Sequence, residues 1–267
     1  MTTEPGESRP RWPAWYGPAG FLAGLFCTLV ASSVVAALFA AGGGHLSTDS
    51  PGFQFGGTLA QDSFFVLAAI ALAARVAPPR PWQFGLRGAP LGRAALAAGL
   101  ALIGFYLFVF AYSKLLHPHG QQDVAKDLGV SNGGLDLVLA AVLVIVIAPI
   151  AEEFFFRGFF YAGLRSRFSM LPAAAIDGLV FGAIHYTGPK TLSLLPVLMV
   201  FGFVLCIVYE WTGSLFVTIA LHSLNNALAW GSSVHQGGGL TAALAVGTIA
   251  GCALLLGTVG PRARVPA

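Results

Sequence analysis

The chain has 267 residues, of which 56% are hydrophobic and only 9% are charged, and its net charge is +3. A soluble domain carries about 25% charged residues, so this composition excludes an ordinary soluble enzyme and a disordered chain. The small charge excess gives no indication of a polyanionic partner, and we expect no nucleic-acid binding.

The predicted elements begin after a polar, proline-rich stretch, residues 1–17, which we expect to be a cytoplasmic tail. Eight apolar segments follow, and several reach the roughly 20 residues that a helix needs to cross the hydrocarbon of a bilayer. The segments are residues 18–41, 57–76, 92–113, 134–160, 171–187, 191–210, 213–231 and 239–259. They predict an all-α fold, a polytopic membrane helix bundle with about eight transmembrane helices surrounded by lipid.

Basic residues lie predominantly on one side of these segments. With the N-terminus in the cytoplasm, ten arginines fall on the cytoplasmic side: Arg9, Arg11, Arg75, Arg80, Arg87, Arg93, Arg165, Arg167, Arg262 and Arg264. Only Lys114, Lys126 and Lys190 fall on the opposite side. Because cytoplasmic loops carry the excess of Lys and Arg, we predict an integral protein of a bacterial-type cell membrane with both termini in the cytoplasm.

Ionisable residues inside a bilayer are costly and mark a functional site by default. The fourth segment carries two adjacent carboxylates, Glu152 and Glu153, which point about 100° apart on a helix. Glu153 and Arg157 are four residues apart and are predicted to form an ion pair, which leaves Glu152 without a local partner, as a candidate general base. In an alternative interpretation, both carboxylates lie at the membrane interface and pair with Arg165 and Arg167.

The fifth segment carries His185, one helical turn after Phe181. Asp177 lies two turns before His185 on the same stripe, about 12 Å away along the axis, so the two side chains cannot touch. Two interpretations of Asp177 stay open: a buried acid paired with an unidentified partner, or a residue that supports the site.

The seventh segment carries His222 and Asn226, which are four residues apart and project from one face of the helix. Asn225 is turned about 100° away, and we expect it to bond to a neighbouring helix. A polar pair of this kind is expensive in an apolar helix and is a candidate for function.

Together, these three segments offer Glu152, His185, His222 and Asn226, the residue types needed for hydrolysis. A carboxylate and an imidazole can draw a proton from water, and a second imidazole and an amide can stabilise an oxyanion. Two histidines and one glutamate are also a zinc-ligand set, although the chain has no HExxH helix. The residue types alone leave both a metal-free and a zinc-dependent site open.

The chain resembles the CPBP intramembrane protease family, which includes the type II CAAX prenyl endopeptidase and bacteriocin-processing or immunity proteins. The resemblance rests on Glu-Glu-x-x-x-Arg at 152–157, Phe-x-x-x-His at 181–185 and His-x-x-x-Asn at 222–226, and it covers about residues 135–232. It implies that Glu152 and His185 activate the attacking water.

The resemblance further implies that His222 and Asn226 form the oxyanion hole, and that Glu153 and Arg157 are structural support. The family is often labelled metalloprotease, in which case Glu152, His185 and His222 would be the zinc ligands. The resemblance also admits a metal-free, glutamate-based mechanism, which we favour because Asn226 is a poor zinc ligand.

On this resemblance the chain divides into four regions. Residues 1–17 are the tail, 18–133 are N-terminal transmembrane helices of unassigned role, 134–232 are a CPBP-like catalytic core, and 233–267 are the last transmembrane helix and a cytoplasmic tail. The expected function is intramembrane endopeptidase activity on a hydrophobic or lipidated peptide. The alternatives are a proton-coupled membrane transporter and a non-catalytic scaffold or immunity relative of the same fold.

Overall fold

The computed structural model describes residues 12–43, 47–117, 124–234 and 237–259. The predicted cytoplasmic positions Arg9, Arg11, Arg262 and Arg264 lie outside the described residues, as does most of the predicted N-terminal tail. The predicted eight segments and all of the candidate site residues fall within the described part.

Eight long helices follow one another along the described residues, and each coincides with one predicted apolar segment. They are α1 (Tyr16–Ala41), α2 (Pro51–Ala74), α3 (Leu91–Leu116), α4 (Gly134–Leu164), α5 (Met170–Ile184), α6 (Leu195–Thr212), α7 (Leu215–Ser233) and α8 (Gly238–Thr258). Short helical turns lie at Pro81–Phe84, Val124–Asp127, Val130–Asn132 and Pro189–Thr191. No strand occurs in the described ranges, and the predicted all-α membrane bundle is confirmed.

Six of the eight helices are long and apolar enough to cross a membrane, namely α1, α2, α3, α4, α6 and α8. Helix α5 has only 15 residues, which at 1.5 Å per residue is about 22 Å and less than the roughly 30 Å of hydrocarbon. Helix α7 has 19 residues, and its apolar character is interrupted by the polar run from His222 to Asn226. The two helices that depart from the transmembrane pattern are therefore two of those that carry candidate site residues.

Helix α4 is continuous but contains two π-helical segments. It is π-helical over Leu143–Ile147 and again over Phe154–Tyr161, with an α-helical stretch, Ala148–Glu153, between them. Wider π turns are rare and are frequent at functional sites. In this helix they flank the stretch that ends with the paired glutamates.

Pro149 explains how α7 is held against the first π turn. Proline has no backbone N–H, so a carbonyl of the preceding turn loses its helical donor. Ser223 Oγ donates to the Ile145 carbonyl at 2.6 Å, and Asn226 Nδ2 donates to the Val144 carbonyl at 2.9 Å. Two polar side chains of α7 thereby satisfy carbonyls of α4 inside an apolar core.

Helices α5 and α6 form a hairpin in which the two backbones touch. A Cβ atom on Gly178 would lie 2.6 Å from the Met199 carbonyl oxygen, and one on Gly182 would lie 2.8 Å from the Met199 nitrogen. Small residues permit this close approach of helices. The hairpin brings the end of α5 next to the polar groups of α4.

Arg165, just after α4, links the C-terminal end of α4 to α6. Its Nε and Nη2 atoms donate to Glu210 of α6 at 3.0 and 2.8 Å, and these bonds raise the pKa of Arg165. Arg165 therefore does not pair with Glu152 or Glu153, and the alternative of an interfacial carboxylate pair is wrong for this arginine.

Candidate active site

A fully buried glutamate organises the polar centre of the bundle. Glu153 Oε1 accepts a hydrogen bond from Arg157 Nη1 at 2.9 Å and one from His222 Nδ1 at 2.8 Å. Neither Glu153 nor Arg157 has any exposed surface. The predicted i,i+4 ion pair is confirmed, and it has a second task that the spacing did not predict, which is to hold the imidazole of α7.

Arg157 connects three helices through its guanidinium group. Besides Glu153, it donates from Nη2 to the Gly202 carbonyl of α6 at 3.0 Å, and its Nε lies 3.8 Å from Asp177 Oδ1 of α5. The guanidinium carbon also lies 4.4 Å from the centre of the Phe181 ring. Charge, hydrogen bonds and a cation–π contact thus fix the relative positions of α4, α5 and α6.

Asp177 has identified partners in the described structure. Its Oδ1 accepts a hydrogen bond from Cys206 Sγ at 3.1 Å and faces Arg157. The first of the two sequence interpretations, a buried acid with a partner, is therefore confirmed. A supporting role of Asp177 for the site, through Arg157, stays a prediction.

Glu152 approaches His222 from the side opposite Glu153. Its Oε2 lies 3.8 Å from His222 Nε2, and 17% of its side-chain surface is exposed. That same Oε2 atom is buried and has no hydrogen-bond partner among the protein groups. The two adjacent glutamates therefore have different environments: Glu153 is fully enclosed and holds Nδ1 of His222, while Glu152 faces Nε2 and keeps access to the site.

His185 lies at the C-terminal end of α5. Its Nδ1 is 2.7 Å from the Phe181 carbonyl, and because a carbonyl only accepts, Nδ1 carries the proton and Nε2 is the free acceptor. Within the described residues His185 has no direct hydrogen bond or ion pair with Glu152.

Phe181 brings the two histidines to one place. Its ring centre lies 5.0 Å from that of His185 and 5.7 Å from that of His222. Both imidazoles therefore pack on the same phenyl ring, which is itself fully enclosed. Together with the approach of Glu152 to His222, these contacts bring parts of all three sequence motifs together in space.

Asn226 lies beside the first π turn of α4. One N–H of its amide is used by the Val144 carbonyl, and the amide group has a second N–H. Asn225, the residue before Asn226, accepts a hydrogen bond from the Tyr106 hydroxyl of α3 at 3.1 Å. The expectation that Asn225 bonds to a neighbouring helix is thus confirmed, whereas the oxyanion role of Asn226 stays a prediction.

The candidate zinc ligands from the sequence are Glu152, His185 and His222. Among the described residues, no group of three or more His, Cys, Asp or Glu side chains is gathered closely enough to hold a metal ion. Nδ1 of His222 donates to Glu153, which leaves Nε2 as its free ring nitrogen, an arrangement that histidines bound to metal ions also have. The choice between a metal-free and a zinc-dependent site stays a prediction.

The sequence analysis did not predict a role for two residues of this region, Ser223 and Asp62. Ser223 was adjacent to a predicted residue, but its acceptor on α4 could be found only by recognising which carbonyl Pro149 frees. Asp62 of α2 is buried, with only 4% of its surface exposed. A lone acid in the middle of an apolar segment is a signal that the sequence does contain.

Residues 134–228 match the family model described as Type II CAAX prenyl endopeptidase Rce1-like. The matched region contains all three motifs. No curated protein and no solved structure matches the chain.

Proposed function

We propose that the chain is an intramembrane endopeptidase that hydrolyses a peptide bond of a membrane-associated or lipidated substrate, and the match of residues 134–228 to the Rce1-like family model supports this. One observation carries the proposal. His222 is buried inside the helix bundle between two glutamates, with Nδ1 2.8 Å from Glu153 and Nε2 3.8 Å from Glu152. This arrangement leaves one carboxylate and one ring nitrogen available to a reaction.

In the proposed mechanism Glu152 is the general base. Its carboxylate accepts one proton from water while Nε2 of His185 accepts a hydrogen bond from the other O–H. The water oxygen attacks the peptide carbonyl carbon and forms a tetrahedral intermediate. When the C–N bond breaks, the proton on Glu152 passes to the departing nitrogen, so that water and peptide give one carboxylic acid and one amine.

His222 and Asn226 are proposed to stabilise the negative charge that develops on the carbonyl oxygen. Glu153 accepts a hydrogen bond from Nδ1 of His222 and fixes the orientation of the ring. Nε2 donates to the oxyanion only when the ring carries both protons, so the proposed mechanism uses His222 as an imidazolium between the two carboxylates. The second N–H of Asn226 supplies another donor. Donors fixed in advance in a site of low dielectric contribute strongly, and loss of one lowers kcat by about 100- to 1,000-fold.

The central test replaces Glu152 by glutamine. Glu152→Gln keeps the size of the side chain but removes the base, so cleavage should be abolished while the protein still inserts and folds. Membranes containing the wild-type protein or the variant are compared by proteomics for new C-termini, and cleavage of a farnesylated CAAX peptide is measured in proteoliposomes. Ser63→Ala, at an exposed position on α2, is the control for reconstitution; full activity of Glu152→Gln would refute the assignment.

A further inference from the structure

Helix α2 carries one charged residue, Asp62, near its middle. It is the only charged residue between Asp49 and Arg75. Its side chain is buried, with 4% exposed surface, and its Oδ2 atom has no hydrogen-bond partner among the protein groups. An unpaired carboxylate at this depth is costly in a bilayer and requires an explanation.

The packing of α2 on α4 places Asp62 level with Glu152. The Phe65 and Phe155 rings are stacked, with centres 4.6 Å apart. Asp62 lies three residues before Phe65, and Glu152 lies three residues before Phe155. On helices that run in the same direction, each carboxylate is therefore one turn from the stacked pair, on the same face as its phenylalanine.

Other contacts show that α2 and α4 run in the same direction. Phe55 and Leu59, before the stacked pair, pack against the apolar cluster that contains Ile145. Leu72 and Phe159, after the stacked pair, both approach the same face of Gly20 in α1. The order of contacts along α2 is thus the order along α4, and the two carboxylates lie at one depth.

The two carboxylates also interact electrostatically. Burial disfavours the charged form of Asp62 most strongly, and the nearby charge of Glu152 disfavours it further. Each residue has one buried carboxylate oxygen, Oδ2 and Oε2, without a protein partner. Two negative charges repel strongly where the dielectric is low. One proton held between the two groups removes the repulsion and supplies a donor and an acceptor at once.

We propose that Asp62 is a positioning residue of the site, whose neutral carboxyl group donates a hydrogen bond to Glu152 and directs the remaining carboxylate oxygen of Glu152 toward the water. This gives the N-terminal helices, outside the matched residues 134–228, a part in the site. The hydrogen bond itself is independent of the proposed protease function, and only its catalytic consequence rests on that function.

Infrared spectroscopy of the reconstituted protein tests the hydrogen bond without any substrate. The difference spectrum between wild type and Asp62→Asn should show the carbonyl stretch of one protonated carboxyl group, which the variant lacks. Glu152→Gln should shift this band because it replaces the acceptor, and Ser63→Ala should leave it unchanged. Absence of the band from the Asp62 difference spectrum, or a band that Glu152→Gln does not move, would overturn the pairing.

Kinetics tests the positioning role. Asp62→Asn retains an N–H donor toward Glu152 and should retain most of the activity. Asp62→Leu removes the donor and should lower kcat by about tenfold or more with little change in KM, the effect of one lost hydrogen bond to a charged group. Thermal unfolding of both variants is measured in parallel, so that a lower kcat of Asp62→Leu is compared with that of Asp62→Asn at a temperature where both proteins are folded.

The outcomes separate this inference from the proposed function. If Glu152→Gln is inactive and Asp62→Leu has wild-type kcat, the positioning role of Asp62 is wrong while the protease proposal stands. If Glu152→Gln is fully active, the protease mechanism fails, and the infrared experiment still decides whether the two carboxyl groups are paired. An Asp62→Leu protein that does not fold leaves Asp62→Asn and its spectrum as the deciding variant.

Discussion

Replacing Arg157 by methionine should destabilise the bundle by removing one side of a buried charge cluster. The substitution keeps an unbranched apolar side chain but leaves Glu153 and Asp177 without their cation. Both acids are fully enclosed, and Arg157 Nη1 is 2.9 Å from Glu153. Removing one partner of a buried ion pair costs about 3–5 kcal/mol, and the hydrogen bond to the Gly202 carbonyl adds about 1 kcal/mol.

Thermal unfolding of the purified protein in detergent measures this loss. For a chain of this size each kcal/mol lowers the midpoint by about 2–4 °C, so a fall on the order of 10 °C is expected for Arg157→Met. The matched control is Arg167→Met, which makes the same change at an exposed arginine shortly after α4 and should alter the midpoint little.

A double variant separates the charge pair from simple loss of packing. Glu153→Gln combined with Arg157→Met removes both charges, so it should be less destabilised than the sum of the two single variants, with a coupling of about 1–3 kcal/mol. Additive effects, or a wild-type midpoint for Arg157→Met alone, would refute the view that this ion pair holds the three helices together.

Three further predictions address the chemistry and the topology. Asn226→Ala should lower kcat by about 100-fold or more, whereas the neighbouring Ser223→Ala should lower the unfolding midpoint but spare the activity, as measured by peptide cleavage and thermal unfolding; equal losses of activity would contradict the oxyanion role. Elemental analysis of the purified protein should find no stoichiometric zinc, and cleavage should continue in the presence of a chelator. Bound zinc, or loss of cleavage on adding the chelator, would contradict the metal-free mechanism. Reporter fusions after Arg75 should report a cytoplasmic location and fusions after Lys190 the opposite side; the same location for both would contradict the orientation.

The helices and the ion pair of the site could be predicted because both depend on local spacing. Apolar runs longer than a membrane is thick define the helices, and residues four apart on a helix meet whatever surrounds them, as Glu153 and Arg157 do. The angle between neighbouring residues also predicts that Asn225 faces away from Asn226, and its bond to Tyr106 agrees. Local geometry of this kind needs no knowledge of which helices are neighbours.

The contacts between helices could not be predicted in the same way. That His222 is bonded to Glu153, and faces Glu152 with its other nitrogen, depends on the packing of α7 against α4. The acceptors of Ser223 and Asn226 depend on a change of winding in α4 that no periodicity indicates. Asp62 lies outside the three motifs, and its relation to Glu152 becomes visible only when the register of α2 on α4 is known.

The shortness of α5 has a consequence for the surrounding lipid. A helix of 15 residues is shorter than the hydrocarbon of an ordinary bilayer is thick, and local thinning of the bilayer is one way in which such a mismatch is accommodated. The turn that begins at His185 then lies where head groups and water can follow it inward. A thinner membrane around this helix would shorten the distance that a scissile bond and a water molecule must each travel to meet, so the proposed protease function predicts that turnover depends on the acyl-chain length of the host membrane.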